Sequence, residues 1–140
     1  MKNLTINHGA VWVSVVLAFL LGYLWYGPLF GESWMKMVGL TMADVEANPP
    51  GAATWVSNII SSVVPIYVLA WLFTKMNVET ALKGALTGLL ISFAFNHLGG
   101  ITGGMFAGSP YGLAWINGGF GMAVMAIAGA ILGGWRKYAE

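Results

Sequence analysis

Apolar residues fill three long uncharged stretches of this chain, residues 3–31, 47–74 and 84–135, and every charged side chain lies between or beyond them. A helix rises about 1.5 Å per residue and needs roughly 20 apolar residues to cross a hydrocarbon core, so the third stretch has room for two crossings. Gly108-Ser109-Pro110-Tyr111-Gly112 supplies the break, because it joins turn residues to a proline that disfavours helix in the residue before it. The pattern predicts an all-α, integral membrane four-helix bundle in one domain, 1–140, with helices near residues 9–26, 52–74, 84–106 and 112–135. A transmembrane barrel needs segments of about ten residues that alternate apolar and polar positions. Runs such as 11–21 and 63–73 do not alternate.

The loop 31–51, between the first two helices, is the one sizeable segment outside the spans. Its Trp34, Met35 and Val38 recur at the spacing of a short interfacial helix over residues 32–40. Thr41 and Asp44 form a capping pattern for a second short helix, which Asn48-Pro49-Pro50-Gly51 ends. An amphipathic bridge resting on lipid is the favoured reading of this loop, ahead of a lid or docking element.

Composition narrows the class. The chain of 140 residues is 58% apolar and 8% charged, against roughly 25% charged in a soluble domain. A net charge of +1 leaves no electrostatic footprint for nucleic acid. The absence of cysteine removes disulfides, thiolate chemistry and cysteine metal sites. Orientation follows from the cations, which are retained on the cytoplasmic side. With four crossings Lys2, Lys75, Lys83, Arg136 and Lys137 share one face and Lys36 lies on the other, so both termini are expected in the cytoplasm of a multi-pass inner (plasma) membrane protein. No small-x-small cleavage site follows the first apolar run, so that helix is expected to be retained. The seven tryptophans agree with this layout, since Trp12, Trp71 and Trp135 fall near inner ends and Trp25, Trp34, Trp55 and Trp115 near outer ones.

Small residues recur every four positions. Gly84, Gly88, Ser92, Asn96, Gly100 and Gly104 share one face of the third helix, and Ala10, Ser14, Ala18 and Gly22 one face of the first. Shorter rows occur at Ala53, Ser57 and Ser61 and at Gly118, Ala126, Ala130 and Gly134. In lipid, apolar burial does not drive helix association, so close backbone approach and dispersion must do so. Packing is therefore the expected role of Gly84, Gly88, Ser92, Gly100 and Gly104, within the chain and in a homo-oligomer. Pro65 removes a backbone donor from the middle of the second helix and predicts a kink, with Ser61 and Ser62 near enough to satisfy freed backbone groups.

Polar side chains inside a membrane are costly unless paired. Counting rises places Asn58, Asn96, His97 and Asn117 in the outer half, at comparable depths, as a candidate polar intramembrane site. His97 has the chemistry to relay a proton, bind a ligand or, in an oligomer, help hold a metal. A histidine without a carboxylate is a poor metal or catalytic site, so a neutral ring bonded to Asn58 or Asn117 is the favoured expectation, with no cofactor and no metal. His8, at the cytoplasmic edge, is read as solvated. The glycines around His97 read either as helix contacts or as ligand-facing backbone, and contacts are favoured.

The stretch Gly22-Tyr23-Leu24-Trp25-Tyr26-Gly27-Pro28-Leu29-Phe30-Gly31, with Trp34-Met35 and Gly39-Leu40-Thr41, resembles the opening of a bacterial membrane family, domain of unknown function 1761. Ile116-Asn117-Gly118-Gly119-Phe120 and Gly129-Ala130-Ile131-Leu132-Gly133-Gly134-Trp135 are similar to its last helix. Where the family often carries a larger polar or aromatic residue after the position of Phe120, this chain has Gly121. The resemblance implies a four-helix inner-membrane protein and supplies no activity.

Two function classes remain. The favoured one is a structural, accessory or scaffold protein, surrounded by lipid, that self-associates or binds an unidentified membrane partner through its small-residue faces. The alternative is a transporter or channel subunit for a small neutral or hydrophobic solute, with its polar site around His97. Small multidrug exporters also have four short helices, but cation antiport needs a membrane carboxylate and every Asp and Glu here lies outside the spans. An enzyme ranks third and is not expected.

Overall fold

The computed structural model describes residues 3–140. Lys2, one of the orienting cations, lies outside the described residues. Four helices are long and apolar enough to cross a membrane: His8–Leu29, Ala52–Met76, Ala81–Phe106 and Tyr111–Gly134. The first consists of α1 (His8–Leu24) and a π-turn at Trp25–Leu29. The short helices α2 (Gly31–Val38) and α3 (Met42–Ala47) follow, and then α4 (Ala52–Met76). The third span is α5 (Ala81–Ser92), a second π-turn at Phe93–His97 and α6 (Leu98–Phe106). The fourth is α7 (Tyr111–Gly134).

Local chemistry sets these boundaries. The Asn7 side chain accepts from the Ala10 amide and starts α1. The Thr80 hydroxyl accepts from the Lys83 amide, so the third span begins at Ala81, three residues before the uncharged stretch. At α3 the capping box forms: Thr41 Oγ1 accepts from the Asp44 amide at 3.2 Å and Asp44 Oδ2 accepts from the Thr41 amide at 2.8 Å. Gly39 ends α2 in the left-handed region, at φ 75°.

The fold departs from a purely helical one at its termini. Strand β1 (Leu4–Thr5) pairs antiparallel with β2 (Lys137–Tyr138), Leu4 opposite Tyr138 and Thr5 opposite Lys137. Asn7 Nδ2 donates to the Trp135 carbonyl at 3.2 Å and extends this join. The ribbon pairs the backbone groups of the residues that flank α1 and α7. It also fixes both termini at one end of the molecule, here the termini end; α2 and α3 mark the opposite, loop end. His8, exposed at the termini end, has Nδ1 2.9 Å from the Tyr67 hydroxyl.

The apolar core lies in the termini half. Val11, Val15, Ile66, Leu69, Phe73 and Leu132, from α1, α4 and α7, are its main members. α7 is the central helix, touching α1, α4, α5, α6 and α2. The small-residue row on α5 packs inside the chain, against α7. A Cβ at Gly84 would enter the Gly129 carbonyl, one at Gly88 the Met125 carbonyl, and one at Gly133 the Thr80 carbonyl. Gly84, Gly88 and Ser92 are therefore covered by α7, which is the packing within the chain that their spacing predicts. Gly100 and Gly104 make no such approach within the chain, since nothing lies within 4 Å of a Cβ built at Gly100 and only Ser109 Cβ, at 3.8 Å, lies near one at Gly104. α4 stays helical through Pro65, and the Ser62 hydroxyl donates to the Asn58 carbonyl at 2.8 Å rather than to that of Ser61, which Pro65 leaves without its usual donor.

Candidate functional site

The loop half is built differently, around two π-turns. A π-turn accommodates one extra residue in a helix and recurs at functional sites. In the first span Pro28 has no amide to give, and Phe30 donates instead to the Trp25 carbonyl five residues back, at 2.8 Å. In the third span Leu98 donates to the Phe93 carbonyl, again five back. The second insertion moves the buried face. Gly84, Gly88 and Ser92 are buried at intervals of four, and the next buried residue is His97, five further on. Asn96, which the four-residue row places on the packed face, is exposed instead.

Both π-turns press on one stretch of α7. From the first span Trp25 Nε1 donates to the Ile116 carbonyl at 2.9 Å, and the Tyr26 hydroxyl donates to Asn117 Oδ1 at 2.8 Å. The Trp25 and Tyr26 rings lie 6.2 and 5.3 Å from that of Phe120. From the third span His97 stands edge-on to Trp115, with ring centroids 4.3 Å apart. A Cβ at Gly118 would enter the His97 ring, and one at Gly121 would lie 3.1 Å from Asn96 Nδ2. Gly118, Gly119 and Gly121 thus let three side chains approach the α7 backbone, His97 and Asn96 on one side and Trp25 on the other. A larger residue at position 121 would meet Asn96, so the departure at this position goes with that approach.

His97 is 1% exposed, and neither ring nitrogen has a hydrogen-bond partner among the described residues. The expected bond to Asn58 or Asn117 is not made, since the Asn117 oxygen faces the Tyr26 hydroxyl. Leaving a buried polar group unsatisfied costs about 1–3 kcal/mol. His97 lines a cavity of about 230 Å³ that reaches the turn between α6 and α7, along with Asn96, Gly100, Ser109, Asn117 and Gly118. The cavity brings three of the four expected polar residues together. Asn58 is separate, beside Trp55, Tyr26 and Phe120 in a different cavity. No carboxylate or cation lines the His97 cavity, and among the described residues no group of three His, Cys, Asp or Glu is placed to hold a metal. The chemistry available is hydrogen bonding to an uncharged group. Trp25 and Tyr26 were not among the expected site residues, although the aromatic run before Pro28 marks them.

The family model described as protein of unknown function (DUF1761) matches residues 9–133, and the chain belongs to this family. The two stretches that carry the resemblance meet in space, because Trp25 and Tyr26 bond to Ile116 and Asn117. Comparison with curated proteins and with solved structures finds no match.

Proposed function

We propose that this member of the DUF1761 family is a multi-pass inner-membrane protein whose loop half binds a small neutral solute at His97, as a transporter or channel subunit does. The observation that carries the reading is the buried imidazole, without a partner on either nitrogen, in the wall of a cavity where Asn96, Ser109 and Asn117 stand among glycines, Pro110, Leu113 and Ala114. Both nitrogens are sealed from the cavity, so a hydrogen-bonding solute meets Asn96, Ser109 and Asn117 directly and the ring only if it turns toward the cavity. The termini end, which carries Lys75, Lys83, Arg136 and Lys137, faces the cytoplasm in this reading, and the loop end with Lys36 faces outward. The scaffold reading keeps the exposed small residues Ala53, Ser57, Ser61 and Gly100 as its surface, while Gly84 and Gly88 serve packing within the chain.

The test uses the chain's two histidines, which give separate ring-nitrogen resonances in protein labelled with [15N]histidine and reconstituted in nanodiscs. Glycerol, an uncharged probe, is expected to move the His97 nitrogens saturably and to leave those of His8 in place. His97 nitrogens that no neutral polyol moves, but that shift in Asn117→Ala, would mark a satisfied core histidine and overturn the proposal.

A further inference from the structure

Asn96 marks one edge of the polar cavity. Asn96 also lines a second cavity, of about 400 Å³, between α4 and the third span across the face of α7. A cleft exists there because α4 packs on α1 and α7 while α5 packs chiefly on α7. Its lining includes Pro65, Ile91, Phe95, Phe120 and Val124, with Ser61 on one wall. Ser61, Pro65 and Phe95 are exposed, Phe95 by 86%, so the cleft opens to the side of the helices. At mid-span that side is hydrocarbon. The second cavity falls within the roughly 300–1,000 Å³ of small-molecule sites.

Two cavities, the second the more apolar, thus share one residue, and we infer that they form a single site for an uncharged amphiphile. Its hydrogen-bonding head lies among Asn96, His97 and Asn117, and its single apolar chain lies along the cleft, entered sideways from the bilayer. The inference rests on the reading of His97 as a binding group and adds the class of ligand. An ionic head is excluded by the lining, since no charged side chain faces either cavity and an unpaired charge is costly to bury. A purely apolar ligand would set nothing against the polar atoms of Asn96, Ser109 and Asn117. A small polyol would leave the cleft to lipid.

The probes are glycerol and 1-monooctanoylglycerol, which share a neutral polyol head and differ in an eight-carbon chain, added to [15N]histidine-labelled protein in phosphatidylcholine nanodiscs. The monoester is expected to saturate the His97 shift at a concentration at least about tenfold lower than glycerol. Ser61→Trp, which narrows the cleft from an exposed position, is expected to remove that advantage and to leave the response to glycerol unchanged. Phe95→Ala, which takes away a wall at a second exposed position, should weaken the monoester in the same selective way. A monoester no tighter than glycerol, or one indifferent to both substitutions, would overturn the cleft as its seat while the His97 cavity stands. Nitrogens unmoved by either probe would overturn the cavity and the cleft together.

Discussion

In the termini half, α1, α4 and α7 bury Val11, Phe73 and Leu132 almost completely, and α5 lies so close to α7 that glycine is required on both sides. In the loop half, residues 52–61 of α4 are all exposed, and the third span meets α7 through His97 rather than through backbone contact. The same α7 serves both halves. What differs is the register of the third span, which the π-turn at Phe93–His97 advances by one residue, so that the His97 ring takes the buried position that the four-residue row gives to Asn96. Where the four-residue repeat holds, at Gly84 and Gly88, the two helix backbones touch. Where it slips, a cavity opens with an imidazole in its wall.

The sharpest way to break the comparison is to place the same side chain in each half. Gly84→Leu drives a side chain into the Gly129 carbonyl, and overpacking of this kind costs about 1–3 kcal/mol or more. It is expected to lower the thermal midpoint of the reconstituted protein strongly. Gly100→Leu projects into open space and is expected to leave the midpoint within the scatter of surface substitutions. Equal losses at the two sites would contradict the division into a closed and an open half.

A smaller effect is expected at the junction of the first span with α7. Trp25→Phe keeps the ring beside Phe120 and Gly119 but removes the N–H that bonds the Ile116 carbonyl. The loss is about 1 kcal/mol, read from denaturant or thermal unfolding. A loss several times larger would mean that Trp25 holds more than this one bond.

The smallest effect belongs to α3, outside the spans. The Thr41 hydroxyl and amide hold the Asp44 carboxyl below its ordinary value. A depressed folded value means that the bond contributes above the unfolded pKa and is lost as pH falls through the folded one. Amide protection of α3 is expected to fall at acid pH with the rest of the chain unchanged, and Thr41→Ala should reproduce that loss at neutral pH. Protection that persists in acid would show that packing, not the capping box, holds this turn.

The parts legible in the sequence are those that local chemistry decides. The Thr41 capping pattern, the break at Ser109-Pro110 and the close-packed row at Gly84, Gly88 and Ser92 all follow from spacing and residue type. Extending that row to Asn96, Gly100 and Gly104 fails because a π-turn carries no spacing rule, and a single inserted residue exchanges Asn96 for His97 on the buried face. Pro28 was visible as an element of the aromatic motif, but the bonds from Trp25 and Tyr26 to α7 join residues 91 positions apart. The two-residue strands at the termini were equally hidden, since each acquires its conformation only from the other.

The most direct test of the account compares two positions eight residues apart on the third span of this cysteine-free chain. Ser92→Cys lies on the closed face and Gly100→Cys lines the cavity beside His97. With a hydrophilic methanethiosulfonate reagent added at the loop end of the membrane-inserted protein, Gly100→Cys is expected to react and Ser92→Cys to stay unmodified. Reaction at Ser92→Cys as fast as at Gly100→Cys, or no reaction at Gly100→Cys under conditions that modify Ser109→Cys at the neighbouring turn, would contradict the division between the two halves and the polar cavity in the open one.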